Sequence, residues 1–342
     1  MHRSLAPLAL CLSASLAGCD DDGSLPIPEY TLAVDRYEPG ALLSFWGSAP
    51  NDLWAVGGEQ GKPLVLHFDG TRFARKEPPI NHQLWWVHGF VGGPVFVSGA
   101  GGVIARHDPG GSWTVFETGY AGTIFYGIWG AAPNDIYAVG GPDFGVTPSE
   151  GDVILHWDGT TWTRIRVAVL DAKPMSAQKD LFKVWGTSNK DIFIVGASGM
   201  ILHHDGTAFT QQASGVGNEP LFTVFGRAPN DVYAVGGLGT AVFLRYDGKA
   251  WTPVELPAET PPVLQGVWTA PGQPVWVSGY RGFLAAYDGG TKWRVAPPKT
   301  ALAFHALFGL GTAVYAAGGN IMTVAPDHQG VIAASGATLP AP

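Results

Sequence analysis

Cysteine is nearly absent: the 342 residues contain two, Cys11 and Cys19. Both lie at the N-terminus, so no disulfide can staple the remainder, and its stability has to come from packing. Charge is sparse as well, at 14% of residues, against about 25% in an ordinary soluble domain. Cations are in deficit, 20 Lys and Arg against 28 Asp and Glu, for a net charge of −8. That balance excludes a nucleic-acid partner, which needs a basic surface to displace counterions from phosphates. Long hydrophobic runs are missing too. The longest, Leu5 to Leu16, falls short of the roughly 20 residues that cross a bilayer. What is abundant is Gly (48), Pro (27) and Trp (13). Aromatics at 12% exclude a disordered chain, and Gly without a three-residue period excludes collagen. Many short strands joined by tight turns fit this composition.

The N-terminus begins with the basic Met1-His2-Arg3, continues through the short apolar run and ends in Leu16-Ala17-Gly18-Cys19. This is the layout of a secretory signal, and its last four residues resemble the bacterial lipobox. The resemblance implies that residues 1–18 are removed and that Cys19 is acylated, which inserts the chain into a lipid bilayer. Two or three acyl chains anchor firmly, since each buried CH₂ contributes about 0.8 kcal/mol. Residues 19–29, opening with Asp20-Asp21-Asp22, read as a flexible tether. The expected address is exported and lipid-anchored to a bacterial membrane, facing the periplasm or the cell surface.

Internal repeats decide the fold. Leu43-Ser-Phe-Trp-Gly-Ser-Ala-Pro-Asn-Asp-Leu-Trp-Ala-Val-Gly-Gly58 returns as Gly127-Ile-Trp-Gly-Ala-Ala-Pro-Asn-Asp-Ile-Tyr-Ala-Val-Gly-Gly141 and as Val224-Phe-Gly-Arg-Ala-Pro-Asn-Asp-Val-Tyr-Ala-Val-Gly-Gly237. A weaker copy spans Val184 to Gly196, and degenerate copies span Val87–Gly99, Val267–Gly279 and Leu307–Gly319. An Asp follows each copy, at Asp69, Asp108, Asp158, Asp205, Asp247, Asp288 and Asp327, spaced 39 to 50 residues apart. Seven copies at this period predict an all-β, single seven-bladed β-propeller of four-stranded antiparallel blades over residues 30–335. Strand a ends in aromatic-Gly, Ala-Pro-Asn-Asp turns the chain, strand b ends in Gly-Gly, and Asp-Gly turns strand c into d. Tyr30-Thr31 through Trp46-Gly47 aligns without a gap on Trp113-Thr114 through Trp129-Gly130. An N-terminal outer strand at 30–35 is therefore expected to close the last blade, whose a, b and c strands are placed at 302–325. Gly330–Ser335 is the competing segment for that outer place, and residues 336–342 read as a disordered tail.

The Gly-Gly after four apolar residues, then aromatic-Asp and a later Trp, resembles the kelch repeat; Tyr137 to Gly141 with Trp157-Asp158 and Trp162 is the clearest copy. The turn Asp158-Gly-Thr-Thr-Trp162 is also similar to the Asp-box. Both resemblances imply a propeller and neither implies an activity.

Residues present in every copy read as structural. His67, His156 and His203 share a place two residues before the strand-c Asp, on separate blades, too far apart for one first shell of metal ligands; no metal and no cofactor is expected. A ligand site belongs where the copies differ. The b–c and d–a loops share one variable rim, and its longest loops, 142–152 and 166–180, flank the third blade. They carry Asp143, Phe144, Glu150, Asp152, Asp171 and Lys173, with Tyr120, Tyr280, Arg281, His82, Asn218 and Glu219 joining from other loops. Along the axis, strand a presents Ser44, Trp86, Gly127, Lys183, Thr223, Gly266 and Ala306. Trp86 and Lys183 are the large members, expected to line or plug the channel.

The residues favour binding over catalysis. The expected function is a membrane-anchored, monomeric binding or scaffold module that recognises a protein or a cell-envelope glycan on the variable rim. The alternative is a glycan-acting hydrolase or lyase at the same rim, for which Asp152 and Asp171 are the available carboxylate pair. Cys19→Ser should shift the protein from the membrane to the soluble fraction on cell fractionation; full retention at the membrane would refute acylation at this position.

Overall fold

The computed structural model describes residues 25–59, 61–143, 151–172, 180–320 and 329–342. Seven four-stranded antiparallel sheets form the blades of one ring. The innermost strands, a of blades 1 to 7, are Ala41–Ala49, Leu84–Gly89, Thr123–Ala132, Leu181–Ser188, Leu221–Ala228, Leu264–Trp268 and Ala303–Leu310. Strands a and b are buried on both faces, as in Leu53 to Val56 at 0–4% exposure, because each blade is covered by a neighbour on either side. This accounts for the near-continuous apolar runs and the low charge.

Closure uses both ends of the chain. Blade 7 is ordered Ala303–Leu310, Ala313–Gly319, Gly330–Ser335 and then Thr31–Tyr37 on the outside. The N-terminal strand thus closes the ring as expected. Strand c, however, is Gly330–Ser335 and not a segment before residue 325. The two segments that competed for the outer place are partners, paired Thr31 to Ala334 and Tyr37 to Gly330. The misplacement came from Met322 to Val324, an apolar run before Asp327 that imitates a strand-c ending; residues 321–328 lie outside the described residues. Tyr30 locks the seam: it is 1% exposed, packs edge-on against Phe304 and donates its hydroxyl to the Gly282 carbonyl. Asp35 accepts from the Thr300 hydroxyl at 2.6 Å. Residues 336–342, expected as a loose tail, bring Leu339 into the core between blades 7 and 1 at 7% exposure. At the other end, Leu25 and Pro26 lie on the rim of the a–b and c–d turns, beside Gly272-Gln273-Pro274 and Asp288, where Arg294 donates to the Pro26 carbonyl at 2.8 Å.

Two repeated features position everything else. The aromatic of the aromatic-Gly pair lies on the glycine of the next blade: a Cβ on Gly89 would meet the Trp46 ring at 2.5 Å. Secondly, the first Gly of each Gly-Gly sits against the backbone that enters strand a. A Cβ on Gly236 would stand 1.9 Å from the Pro220 carbonyl oxygen. That approach accompanies a break in register, where Leu221 pairs with Gly236 but Thr223 pairs with Val235. Phe222 is left over as a β-bulge. The same shift occurs in strand a of all seven blades.

The turn residues also have defined partners. Asp69 accepts from Thr71 and Arg72 backbone N–H groups at 2.9 and 3.0 Å, and Asp158, Asp205 and Asp247 do the same in their blades. His67, His156 and His203 each meet the Asp that opens strand b, at Asp52, Asp135 and Asp191, all at 2.7 Å. Burial alone would raise the Asp52 carboxyl, but donors from Ser48, His67 and Trp54 outweigh it and hold the group below the ordinary carboxylate range.

Gly236→Ala should cost about 3 kcal/mol through forced displacement of the bulge, read by urea denaturation. Gly110→Ala, with no atom within 4 Å of the added carbon, should stay within about 0.5 kcal/mol of the parent. Equal stability of the two variants would contradict the bulge argument.

Candidate functional site

The seven bulge residues are Leu43, Trp85, Tyr126, Phe182, Phe222, Gln265 and His305. All seven line one cavity of about 470 Å³ on the ring axis, within the usual size of small-ligand sites. The b–c and d–a loops surround it, through Ala197, Ser198, Leu238 and Tyr280 and through Asp180, Asn218 and Pro220. The mouth therefore opens on the variable rim. Trp86, Lys183 and Thr223 belong to the layer one residue further along strand a and also line the cavity.

The wall is divided. Blades 2 to 5 contribute a belt of aromatic rings, with Trp85 edge-on to Tyr126 (4.8 Å), Tyr126 edge-on to Phe182 (5.3 Å) and Phe182 tilted on Phe222 (5.4 Å). Blades 6 and 7 contribute the polar Gln265 and His305, with Leu43 of blade 1 between the two halves. Lys183 is 7% exposed; its Nζ lies 3.0 Å from the centroid of the Trp86 ring and donates to the Tyr126 carbonyl at 3.3 Å. Burial holds its amino group well below the ordinary lysine value. Burial, followed by the charges of Asp180 and Asp143, pushes the Tyr126 hydroxyl up. Burial also lowers His305 to about 4, against a bond to the Gly319 carbonyl that works the other way. Three buried polar atoms of the wall have no hydrogen-bond partner: Tyr126 Oη, Gln265 Oε1 and His305 Nε2.

The expected rim residues are scattered by comparison. Tyr280 lines the axial cavity, and with Arg281 it also lines an adjoining pocket of about 240 Å³ between blades 6 and 7, which shares His305. Trp86 and Lys183 meet as described. Tyr120 instead packs on Phe125 between blades 2 and 3. Asp143 accepts from the Gly101 N–H at 3.4 Å. Asp152 is 4% exposed and its carbonyl accepts from Arg164 at 3.2 Å. Asp171 ends the short helix Ala168–Asp171 and pairs with Arg166 at 3.4 Å. Glu219 accepts from the backbone N–H groups of Leu238, Gly239 and Thr240 at 2.6 to 3.3 Å, pinning a loop at the cavity mouth. Phe144, Glu150 and Lys173 lie outside the described residues, as does Cys19. Among the described residues no group of three His, Cys, Asp or Glu side chains is placed to hold a metal ion.

No family model matches the chain, and no curated protein matches its sequence. Solved structures match its shape. A catalytically inactive variant of virginiamycin B lyase from Staphylococcus aureus, crystallised with quinupristin, has 13% identity and a TM-score of 0.69, covering 90% of this chain and 99% of that one. YCF48 from Cyanidioschyzon merolae has 18% identity and a TM-score of 0.63, covering 90% and 98%. The WD40 propeller domain of Doa1 has 8% identity and a TM-score of 0.66, covering 91% and 98%. At these identities the likeness is one of fold: a seven-bladed propeller, an architecture suited to binding and scaffold roles.

The two buried histidines with strongly lowered values set a pH dependence. His88, which bonds the Gly130 carbonyl at 3.2 Å, is also lowered to about 4 by burial. Both are neutral in the fold and protonate in the unfolded chain below the ordinary histidine value of 6.5. Their contribution is complete above that value and is lost as the pH falls to about 4, by up to about 3 kcal/mol each. Urea denaturation between pH 7.5 and 4.5 should show this decline, and His88→Gln should flatten it by about half. An unchanged slope would contradict the assignment.

Proposed function

We propose that this protein is a lipid-anchored, extracytoplasmic binding module, built on kelch-like repeats, that holds a protein partner through the axial cavity of its variable rim. The observation that carries this reading is the convergence of seven equivalent bulge residues, one per blade, on a single cavity in which they differ from blade to blade. A residue repeated for packing would be the same in each blade; here the position changes from Leu to Trp, Tyr, Phe, Gln and His. The apolar belt favours a polypeptide side chain over a glycan, because each sugar hydroxyl removed from water needs a partner that the aromatic half does not offer. Propellers of this shape do hold peptides, YCF48 having been solved bound to D1 peptide at a TM-score of 0.63 to this chain. The glycan hydrolase reading has less support. Asp171 is engaged by Arg166 and Asp152 is buried away from the axial cavity, so these two do not form a carboxylate pair facing that cavity.

Pull-down from envelope extracts should recover a polypeptide with the parent protein. Trp85→Ala and Phe182→Ala should lower its affinity at least tenfold, and Asp171→Ala less than twofold. The reverse pattern would move the site to the blade 3 loops. Recovery of a glycan, or its cleavage, would replace the protein-partner reading.

A further inference from the structure

The chemistry of the cavity narrows its ligand further, an inference that rests on the axial cavity being the binding site. Two polar atoms stand unpaired on the polar side. Burial keeps His305 neutral. Its Nε2 has no partner among the described residues, and in the tautomer with the proton on Nδ1 it carries a lone pair. Gln265 Oε1 is an acceptor by nature and is likewise unpartnered, while the Gln265 backbone carbonyl is taken by the Thr223 hydroxyl at 2.5 Å. A buried acceptor left unpaired costs about 1–3 kcal/mol, which a ligand supplying a donor would recover. Asp180 stands at the wall, and with Asp143 it raises the Tyr126 hydroxyl, so the surroundings do not favour a ligand anion. Lys183, the one lysine of the wall among the described residues, is directed onto the Trp86 ring and the Tyr126 carbonyl. Facing the acceptors is the belt Trp85, Tyr126, Phe182 and Phe222, whose edge-on and tilted contacts suit the faces and edges of another ring.

We propose that the cavity receives an aromatic ring that carries an N–H or O–H donor on its edge, of indole or phenol chemistry, with the donor on His305 Nε2 and Gln265 Oε1 and the ring against the aromatic belt. The ring enters either as a free small molecule or as the Trp or Tyr side chain of a partner polypeptide.

Isothermal titration of the full chain with 3-methylindole, p-cresol, toluene and benzoate tests the chemistry. The two donor-bearing rings should bind at least tenfold more tightly than toluene, with benzoate the weakest. Gln265→Leu and His305→Leu should each shrink the p-cresol preference over toluene to about threefold or less. Gln265→Leu keeps the Gly319 bond, so it remains informative should His305→Leu fail to fold. Equal binding of toluene and p-cresol, or a preference for benzoate, would overturn the donor assignment while leaving the cavity as a binding site. Binding of no ring at all would overturn the cavity as the site. The source is read from a capped Ala-Trp-Ala tripeptide: tighter binding than 3-methylindole supports a partner side chain, and weaker binding supports a free ring.

Discussion

The close approach of a strand-b glycine to the carbonyl entering strand a is the constraint on which the rest depends. It is backbone against backbone, so no side chain at that glycine could be accommodated by a rotamer change. Its geometric effect is to leave one residue of strand a unpaired and turned toward the axis. Repeated seven times, this produces a layer of side chains that meet around the axis and stand outside the cores between blades. The blades stay interchangeable in their cores while the bulge layer is free to differ. Trp-on-Gly contacts between adjacent inner strands hold the ring closed below that layer, so cavity and scaffold are built from alternating positions of the same strands.

Much of this was legible in the residues. The Ala-Pro-Asn-Asp and Gly-Gly copies marked the blades, and the ungapped match of Tyr30-Thr31 to Trp113-Thr114 identified the closing strand. The third strand of blade 7 was missed because an apolar run before Asp327 imitated the ending of a strand c. The cavity was located one residue away from its actual lining. Strict alternation along strand a points Ser44 or Thr223 to the axis, and a bulge shifts that phase by one. Trp86 and Lys183 were identified because their layer also reaches the cavity. A signal for the bulge was present: four consecutive blades carry Trp85, Tyr126, Phe182 and Phe222 at the same place, one residue after the partner of the first Gly of the strand-b ending. Core aromatics and cavity aromatics look alike until that register is known.

Rim loops use polar residues to hold their own shape. Asp143, Glu219 and Asp171 are polar rim residues of the kind that suggests ligand contact, yet each is occupied in holding loop geometry. Tyr126 Oη, Gln265 Oε1 and His305 Nε2, which lack partners among the described residues, sit on strands of the cavity wall, where rigid backbone fixes them. A similar division applies to histidine. His67, His156 and His203 are spent on the aspartates that open strand b, whereas His305 keeps one nitrogen unengaged.

The chain at Leu25 and Pro26 lies on one particular face of the ring. These residues leave the ring beside the a–b and c–d turns of blade 6, on the face opposite the cavity mouth. For a protein held to a bilayer by a lipid ahead of this point, the repetitive face would lie toward the membrane like the foot of a goblet. The open bowl would then point into the surrounding compartment, where a partner could reach it without competing with the lipid surface.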